Sequence, residues 1–311
     1  MTTAKTAAEH SVHSSRAALA SVSLALVLLV AKAWAAYLTD STAMLGSLAD
    51  TALDVIASLT TLMGVRIAAQ PADLDHRFGH GKAEALVSLA QVALISVSAI
   101  GIMWRAAERL LSHAETEAMS IGIVVSVFAI ALTLVLLWYQ RRVIERTGSV
   151  AIKTDNVHYK ADLMLNGAVI VALVLDQALR VPGADAVFGI GIALWLIWGA
   201  YRASGEAVHQ LMDREWPEEE RQRFLDEAAH YDELRGLHDL RTRKSGTLRF
   251  VQFHVWVPAH WTVQEAHDRL DHVEEQLQQR FPDTEILIHV DPEGQTDRET
   301  LLPQEITEQA S

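Results

Sequence analysis

The sequence contains no cysteine. That excludes disulfides, thiolate zinc sites, iron–sulfur clusters and cysteine-based copper handling, so any transition metal must be held by His, Asp and Glu. A basic surplus is also missing, the formal charge being -13. An acidic chain without a basic stripe repels phosphates, which argues against a nucleic-acid partner. The negative charge is unevenly placed. Residues 1–211 hold 15 Lys and Arg against 16 Asp and Glu, whereas residues 212–311 hold 11 against 23. Seven of the 14 histidines fall in the last 100 residues. The chain reads as an apolar part followed by an acidic, soluble part.

The first long apolar run covers residues 17–38 and is broken only by Lys32. A bilayer core needs about 20 helical residues. The competing reading is a secretory signal, with Arg16 as its charged start and Ala33-Trp34-Ala35 as a cleavage-like site. Signal cores run to about 7–15 residues, and this run is longer. Further apolar runs follow at 42–68, 85–111, 119–139, 160–179 and 186–207, giving six transmembrane helices. Lys and Arg in the short connections set the orientation. The connections near 39–41 and 112–118 have none, the second carrying Glu115 and Glu117, and the one near 180–185 has only Arg180. The alternate connections carry Arg77 and Lys82, then Arg141, Arg142, Arg146 and Lys153. Both ends of the chain, and the acidic part, are therefore expected in the cytoplasm.

Ionisable groups at bilayer depth are costly and point to function. The second span contains Asp50 and Asp54, four apart and so stacked on one helix face. Two such carboxylates repel unless a cation or protons neutralise them. The fifth helix is expected to begin with His158 and Asp162, again four apart. Three carboxylates and one imidazole from two helices suit a tetrahedral zinc-type site. An interhelical hydrogen-bond network of protonated acids is the other reading of the same spacing. Lys32 reads as a snorkelling side chain and Asp176 as a solvated helix end. Asn166 fits either a polar path or helix packing.

Between the second and third spans runs Pro71-Ala72-Asp73-Leu74-Asp75-His76-Arg77-Phe78-Gly79-His80-Gly81-Lys82. Pro71 stops the helix and the glycines make a turn. Asp73, His76 and His80 could close around one metal ion. A plain hydrated turn with a hydrogen-bonded histidine is the alternative. The His-x-x-x-His pair lacks the Glu general base of a zinc protease, and Gly81-Lys82 lacks the rest of a phosphate loop. No motif for ATP coupling is present.

In the acidic part, Pro217 opens a helix whose first turn carries Glu218, Glu219 and Glu220, matching the helix dipole. It is expected to run to about Tyr231. Residues 237–243 and 247–257 flank Lys244-Ser245-Gly246 as a hairpin. Residues 263–280 form an amphipathic helix with Val263, Ala266, Leu270, Val273 and Leu277 on its apolar side, and 285–290 form a third strand. The order α-β-β-α-β implies a small open sheet with helices on one face. His238, His254, His267, His289 and Asp291 fall on these elements. His289 and Asp291, two apart on a strand, share a face, and a carboxylate there can bridge two ions. His230, His260 and His272 read as surface residues. The polar stretch 293–311 reads as a disordered tail.

These residues carry a resemblance. Asp50-x-x-x-Asp54, His158-Tyr159-Lys160-Ala161-Asp162, and Asp73 with Phe78-Gly79-His80-Gly81-Lys82-Ala83-Glu84 resemble the cation diffusion facilitator family. His238-Asp239-Leu240-Arg241-Thr242-Arg243 and Ile288-His289-Val290-Asp291-Pro292 place the chain nearest its bacterial YiiP-type zinc transporter branch. The resemblance covers about residues 16–292. It implies a homodimeric, proton-coupled exporter of divalent metal in the bacterial inner membrane, without ATP and without enzymatic activity. It implies a transport site at Asp50, Asp54, His158 and Asp162 and a loop site at Asp73, His76 and His80. A cytoplasmic, metallochaperone-like domain would hold two ions through His238, His254, His267, His289 and a bridging Asp291. Lys82 and Asp213 match positions that form salt bridges near the dimer waist. Asp75 is a departure that could compete with Asp73 as ligand.

The expected organisation is a cytoplasmic tail at 1–15, a six-helix transmembrane domain at 16–211, a cytoplasmic metal-binding α+β domain at 212–292 and the tail beyond. His158 is the natural proton carrier, because an unperturbed imidazole titrates near pH 6.5. Zn2+ or Cd2+ suits one His and three Asp best, while Fe2+, Co2+, Ni2+ and Mn2+ stay open on ligand types alone. A membrane-tethered metal sensor without transport is the alternative function. An intramembrane metalloenzyme is a further one, though it lacks a base beside the His pair.

Overall fold

The computed structural model describes residues 2–39, 42–112, 120–179, 184–282 and 284–294. Glu115, Glu117, Arg180 and the segment 295–311, all read above from sequence, lie outside the described residues. The side chain of Asp176 does as well. The chain divides into two compact units, His10–Val208 and one built chiefly from His209 onward.

Six long helices occur among the described residues: α1 (Thr2–Thr39), α2 (Thr42–Ala68), α3 (Ala83–Ser112), α4 (Ser120–Thr147), α5 (Val150–Leu179) and α6 (Ala184–Leu211). Five contain stretches long and apolar enough to cross a membrane. That count is of the described residues alone, and side chains in the second half of α5 fall outside them. Large apolar side chains such as Val30, Val97, Trp104 and Val124 are exposed on the bundle's outside. An apolar exterior of this extent suits lipid rather than water. The protein is a multi-pass membrane protein.

Two starts differ from the sequence expectation. Helix α5 begins at Val150, not near Lys160, so His158 sits in its third turn instead of at its start. The reason is a cap supplied from a neighbour. Ser149 Oγ donates to Glu84 Oε2 at 2.7 Å, and the Val150 N–H donates to the same oxygen at 3.1 Å. Buried Glu84 on α3 thus takes up N–H groups that a helix start leaves unpaired. Helix α1 begins at Thr2, well before the apolar run. Helix α4 continues past its apolar stretch to Thr147, where Arg141 pairs with Glu145.

Helix α2 packs against α3 and α5, and α4 against α5. At the α2–α3 crossing, a Cβ on Gly64 would meet Val87 Cγ2 at 2.3 Å. Only glycine permits that approach.

The second unit contains α7 (Glu218–Ala228), β1 (His238–Ser245), β2 (Leu248–Val257), α8 (Val263–Arg280) and β3 (Thr284–Pro292). The strand order is β1-β2-β3, with β1–β2 antiparallel and β2–β3 parallel. Helix α7 ends at Ala228, three residues short of the expected Tyr231. Alternation along β2 sorts the two faces. Val251, Phe253 and Val255 are fully buried against Phe224 of α7 and Leu270, Val273 and Leu277 of α8. Gln252, His254 and Trp256 occupy the other face. Thr262 and Glu265 form a capping box at the start of α8.

Candidate metal centres

Three groups of His and Asp come together, each with its ligand atoms within 4.8 Å of one another: Asp54, His158 and Asp162; Asp73, His76 and His80; His238, His254 and Asp291. A tetrahedral zinc with ligands at about 2.0–2.2 Å separates neighbouring ligand atoms by about 3.3–3.6 Å. That spacing is the standard against which each group is read.

In the first group, His158 Nε2 lies 3.0 Å from Asp54 Oδ1 and 3.7 Å from Asp162 Oδ2. These distances bracket the tetrahedral spacing. The one-turn offset on α5 stacks His158 and Asp162, and the packing of α2 on α5 brings in Asp54. Tyr159, buried beside them, donates to the Ser21 carbonyl at 2.9 Å and meets Ser58 Oγ at 2.8 Å. Its ring packs edge-on against the His158 imidazole, 5.7 Å between centroids. The tyrosine therefore ties α5 to α1 and α2 next to the group.

Asp50, the fourth residue expected here, is not in the group. It lies one turn from Asp54, and its Oδ2 is 3.6 Å from Arg105 Nη1 on α3. Lys32, expected to snorkel, instead donates from Nζ to Thr51 Oγ1 at 2.6 Å. Its partner is a buried side chain of α2. Asn166 donates to the Asp162 carbonyl, a bond within the helix.

Sequence reasoning also passed over Asp155, one turn before His158 and fully buried. Its carboxylate accepts from Ser21 Oγ at 2.6 Å, Gln140 Nε2 at 2.7 Å, Gln91 Nε2 at 3.2 Å and Thr61 Oγ1 at 3.4 Å. Gln91 also donates to Thr61. Helices α1, α2, α3 and α4 thereby each contribute a donor to one residue of α5. The available signal was a carboxylate, two amides and two hydroxyls scattered in otherwise apolar runs.

In the loop, Asp73 Oδ1 accepts from the backbone N–H groups of His76 at 2.6 Å and Asp75 at 2.9 Å. His76 Nδ1 and His80 Nε2 each lie 3.3 Å from the Asp73 carboxylate. The backbone bond from His76, with that from Asp75 and the two imidazoles, holds the Asp73 carboxyl below its ordinary range. Asp75 enters through its N–H, while its carboxylate is outside the group. Gly79, at φ 76°, makes the turn that returns His80 toward Asp73.

In the second unit the register builds the cluster. His238 pairs with His254 across β1–β2, and His254 with His289 across β2–β3, on the face the helices leave open. Asp291 Oδ2 lies 2.9 Å from His254 Nδ1 and 3.2 Å from His238 Nε2, and its Oδ1 is 3.5 Å from His289 Nε2. His238 Nδ1 donates to the Gly236 carbonyl at 2.8 Å. The buried Nε2 has no hydrogen-bond partner and faces the Asp291 carboxylate at 3.2 Å. A bond from Nδ1 to a backbone carbonyl is the arrangement that leaves Nε2 of a neutral imidazole able to serve as a metal ligand. His267 is exposed on α8 and is not among the grouped residues. Asp213, one of the two residues expected at the dimer salt bridges, lies 3.6 Å from Arg243 Nη1.

Residues 18–212 match the cation efflux transmembrane domain, and residues 216–293 match the cytoplasmic domain of cation efflux proteins. The chain belongs to the cation efflux family, which comprises transporters rather than enzymes. It is 42% identical over 278 residues to the cation-efflux pump FieF of Cronobacter sakazakii, covering 89% of this chain and 92% of that protein. The FieF pumps of Klebsiella pneumoniae and Escherichia coli are each 41% identical over the same shares of both chains. A solved structure of CzrB in its zinc form is 38% identical, with a TM-score of 0.24, covering 28% of this chain and 99% of that one.

Proposed function

We propose that the protein is a homodimeric exporter of divalent metal cations, zinc foremost, which exchanges them for protons across the bacterial inner membrane. The observation that carries this reading is the Asp54–His158–Asp162 group. Two adjacent membrane helices converge an imidazole and two carboxylates at tetrahedral spacing, with Asp50 one turn away. An anchor or a sensor needs no such cluster inside its helices. FieF relatives named as cation-efflux pumps align over most of the chain and support the same direction of transport.

The cycle follows from the ligands' chemistry. The acidic domain, 212–292, faces the cytoplasm and draws cations toward the membrane domain, 16–211. A metal ion binds where His158 is neutral and Asp54 and Asp162 are ionised, with Asp50 as fourth ligand. On the outer side, protons taken up by His158 and the carboxylates displace it. The protonated, metal-free site then returns inward, and the proton gradient drives the export.

The loop group, and the cytoplasmic one with His267 and His289, hold further ions that neutralise clustered charge. His238, His254 and Asp291 have the donor set for such an ion. Lys82 and Asp213 serve the dimer contact. One imidazole among carboxylates favours zinc over harder cations.

Zinc flux in sealed proteoliposomes under an imposed pH gradient tests this reading. Flux that needs both the gradient and Asp54 supports it. Zinc binding with no gradient-dependent flux would move the protein to the sensor class.

A further inference from the structure

We propose that Arg105 sets the affinity of the intramembrane site by competing with the transported cation for Asp50. This inference rests on the reading of Asp50, Asp54, His158 and Asp162 as the transport site.

Asp50 and Asp54 share a face of α2, yet only Asp54 joins His158 and Asp162. The Asp50 carboxylate faces the Arg105 guanidinium of α3 at 3.6 Å instead. A guanidinium keeps its proton at every physiological pH. It therefore acts as a resident cation that cannot be neutralised, only displaced. For Asp50 to become the fourth ligand of an incoming ion, the Asp50–Arg105 pair must open. Both side chains are more than half exposed, Arg105 at 69% and Asp50 at 59%. The long arginine side chain thus has room to swing away while its Cα stays on α3.

Lys32, the other cation near this stretch, does not duplicate the role. Its ammonium is hydrogen-bonded to the neutral hydroxyl of Thr51. Arg105 thus stands between a three-ligand group and a four-ligand site. It makes recruitment of the last ligand costlier and its release easier. An exporter gains from this, because an ion held too tightly is not let go.

The test compares native protein with Arg105→Gln and Arg105→Lys in zinc-loaded proteoliposome assays, reading half-saturating zinc separately from maximum flux. Arg105→Gln is expected to lower the half-saturating concentration by about two- to fivefold, the scale of an exposed ion pair. Arg105→Lys, which keeps the charge but not the guanidinium's reach toward Asp50, is expected to shift it less and in the same direction. A purely structural arginine would lower maximum flux and leave half-saturation in place. Unchanged or raised half-saturating zinc in both variants overturns the proposal. Asp50→Ala in the same assay separates the two readings, since native flux there would remove Asp50 from the transport site while leaving the Asp54–His158–Asp162 group in place.

Discussion

Gln140 Nε2 on α4 donates to Asp155 Oδ2 on α5 at 2.7 Å, and the same amide nitrogen donates to Ser21 Oγ on α1 at 3.0 Å. Asn156 Nδ2 in turn donates to Gln140 Oε1 at 3.0 Å. This polar knot lies one turn from His158. Its geometry fixes how the face of α5 that carries His158 and Asp162 meets α2.

Asp155→Ala strips the common acceptor from four donors, of which the Ser21 and Thr61 hydroxyls keep a carbonyl of their own helix and the two amide nitrogens lose a partner. Each buried donor left unpaired costs about 1–3 kcal/mol, so the variant should melt well below the native protein in detergent. Asp155→Asn retains one acceptor oxygen and should fall between the two. A native melting temperature for Asp155→Ala would show that the knot contributes nothing.

The α2–α3 crossing gives a second expectation. A methyl group at position 64 would overlap Val87, and overpacking costs about 1–3 kcal/mol. Gly64→Ala should therefore lower thermal stability, and adding Val87→Ala should restore it. Failure of the second substitution to rescue the first would mean that the helices do not cross there.

The capping box of α8 makes a pH-dependent prediction. The Thr262 backbone N–H donates to Glu265 Oε2 at 2.8 Å, and the Thr262 hydroxyl meets the same oxygen at 3.0 Å. These bonds hold the Glu265 carboxyl below its ordinary range. A lowered folded value means a contribution present above the unfolded glutamate value of about 4.3 and lost as pH falls through the lower folded one. Amide protection factors in the first turn of α8 should hold down to about pH 4.3 and fall below it. In Glu265→Gln that pH dependence should vanish. Its persistence would assign the titration to another group.

How far the sequence carried the reading depended on whether a residue's partner lay nearby in the chain. The end of α2 and the extent of α8 were legible, because Pro71 stops the one and the apolar stripe from Val263 to Leu277 marks the other locally. The one-turn pairs Asp50–Asp54 and His158–Asp162 were legible for the same reason. The start of α5 was not. Hydropathy sees Lys153, Asp155 and His158 as breaks in an apolar run, whereas the fold satisfies them. Lys153 pairs with Glu206, Asp155 sits in its knot and His158 meets Asp54. Nor could spacing show that Asp50 turns to Arg105, since that partner lies on another helix. The open-face cluster of the second unit was half legible. His289 and Asp291 share a strand, but only the register across three strands aligns His238 and His254 with them.

The central claim is that the transported ion sits among Asp54, His158 and Asp162 and not in either of the other groups. The most direct measurement is radioactive zinc flux, normalised to inserted protein, for Asp54→Asn, His158→Ala and Asp162→Asn beside His76→Ala and His254→Ala. Background flux is expected in the first three and measurable, gradient-dependent flux in the last two. Native flux in Asp162→Asn or His158→Ala would contradict it.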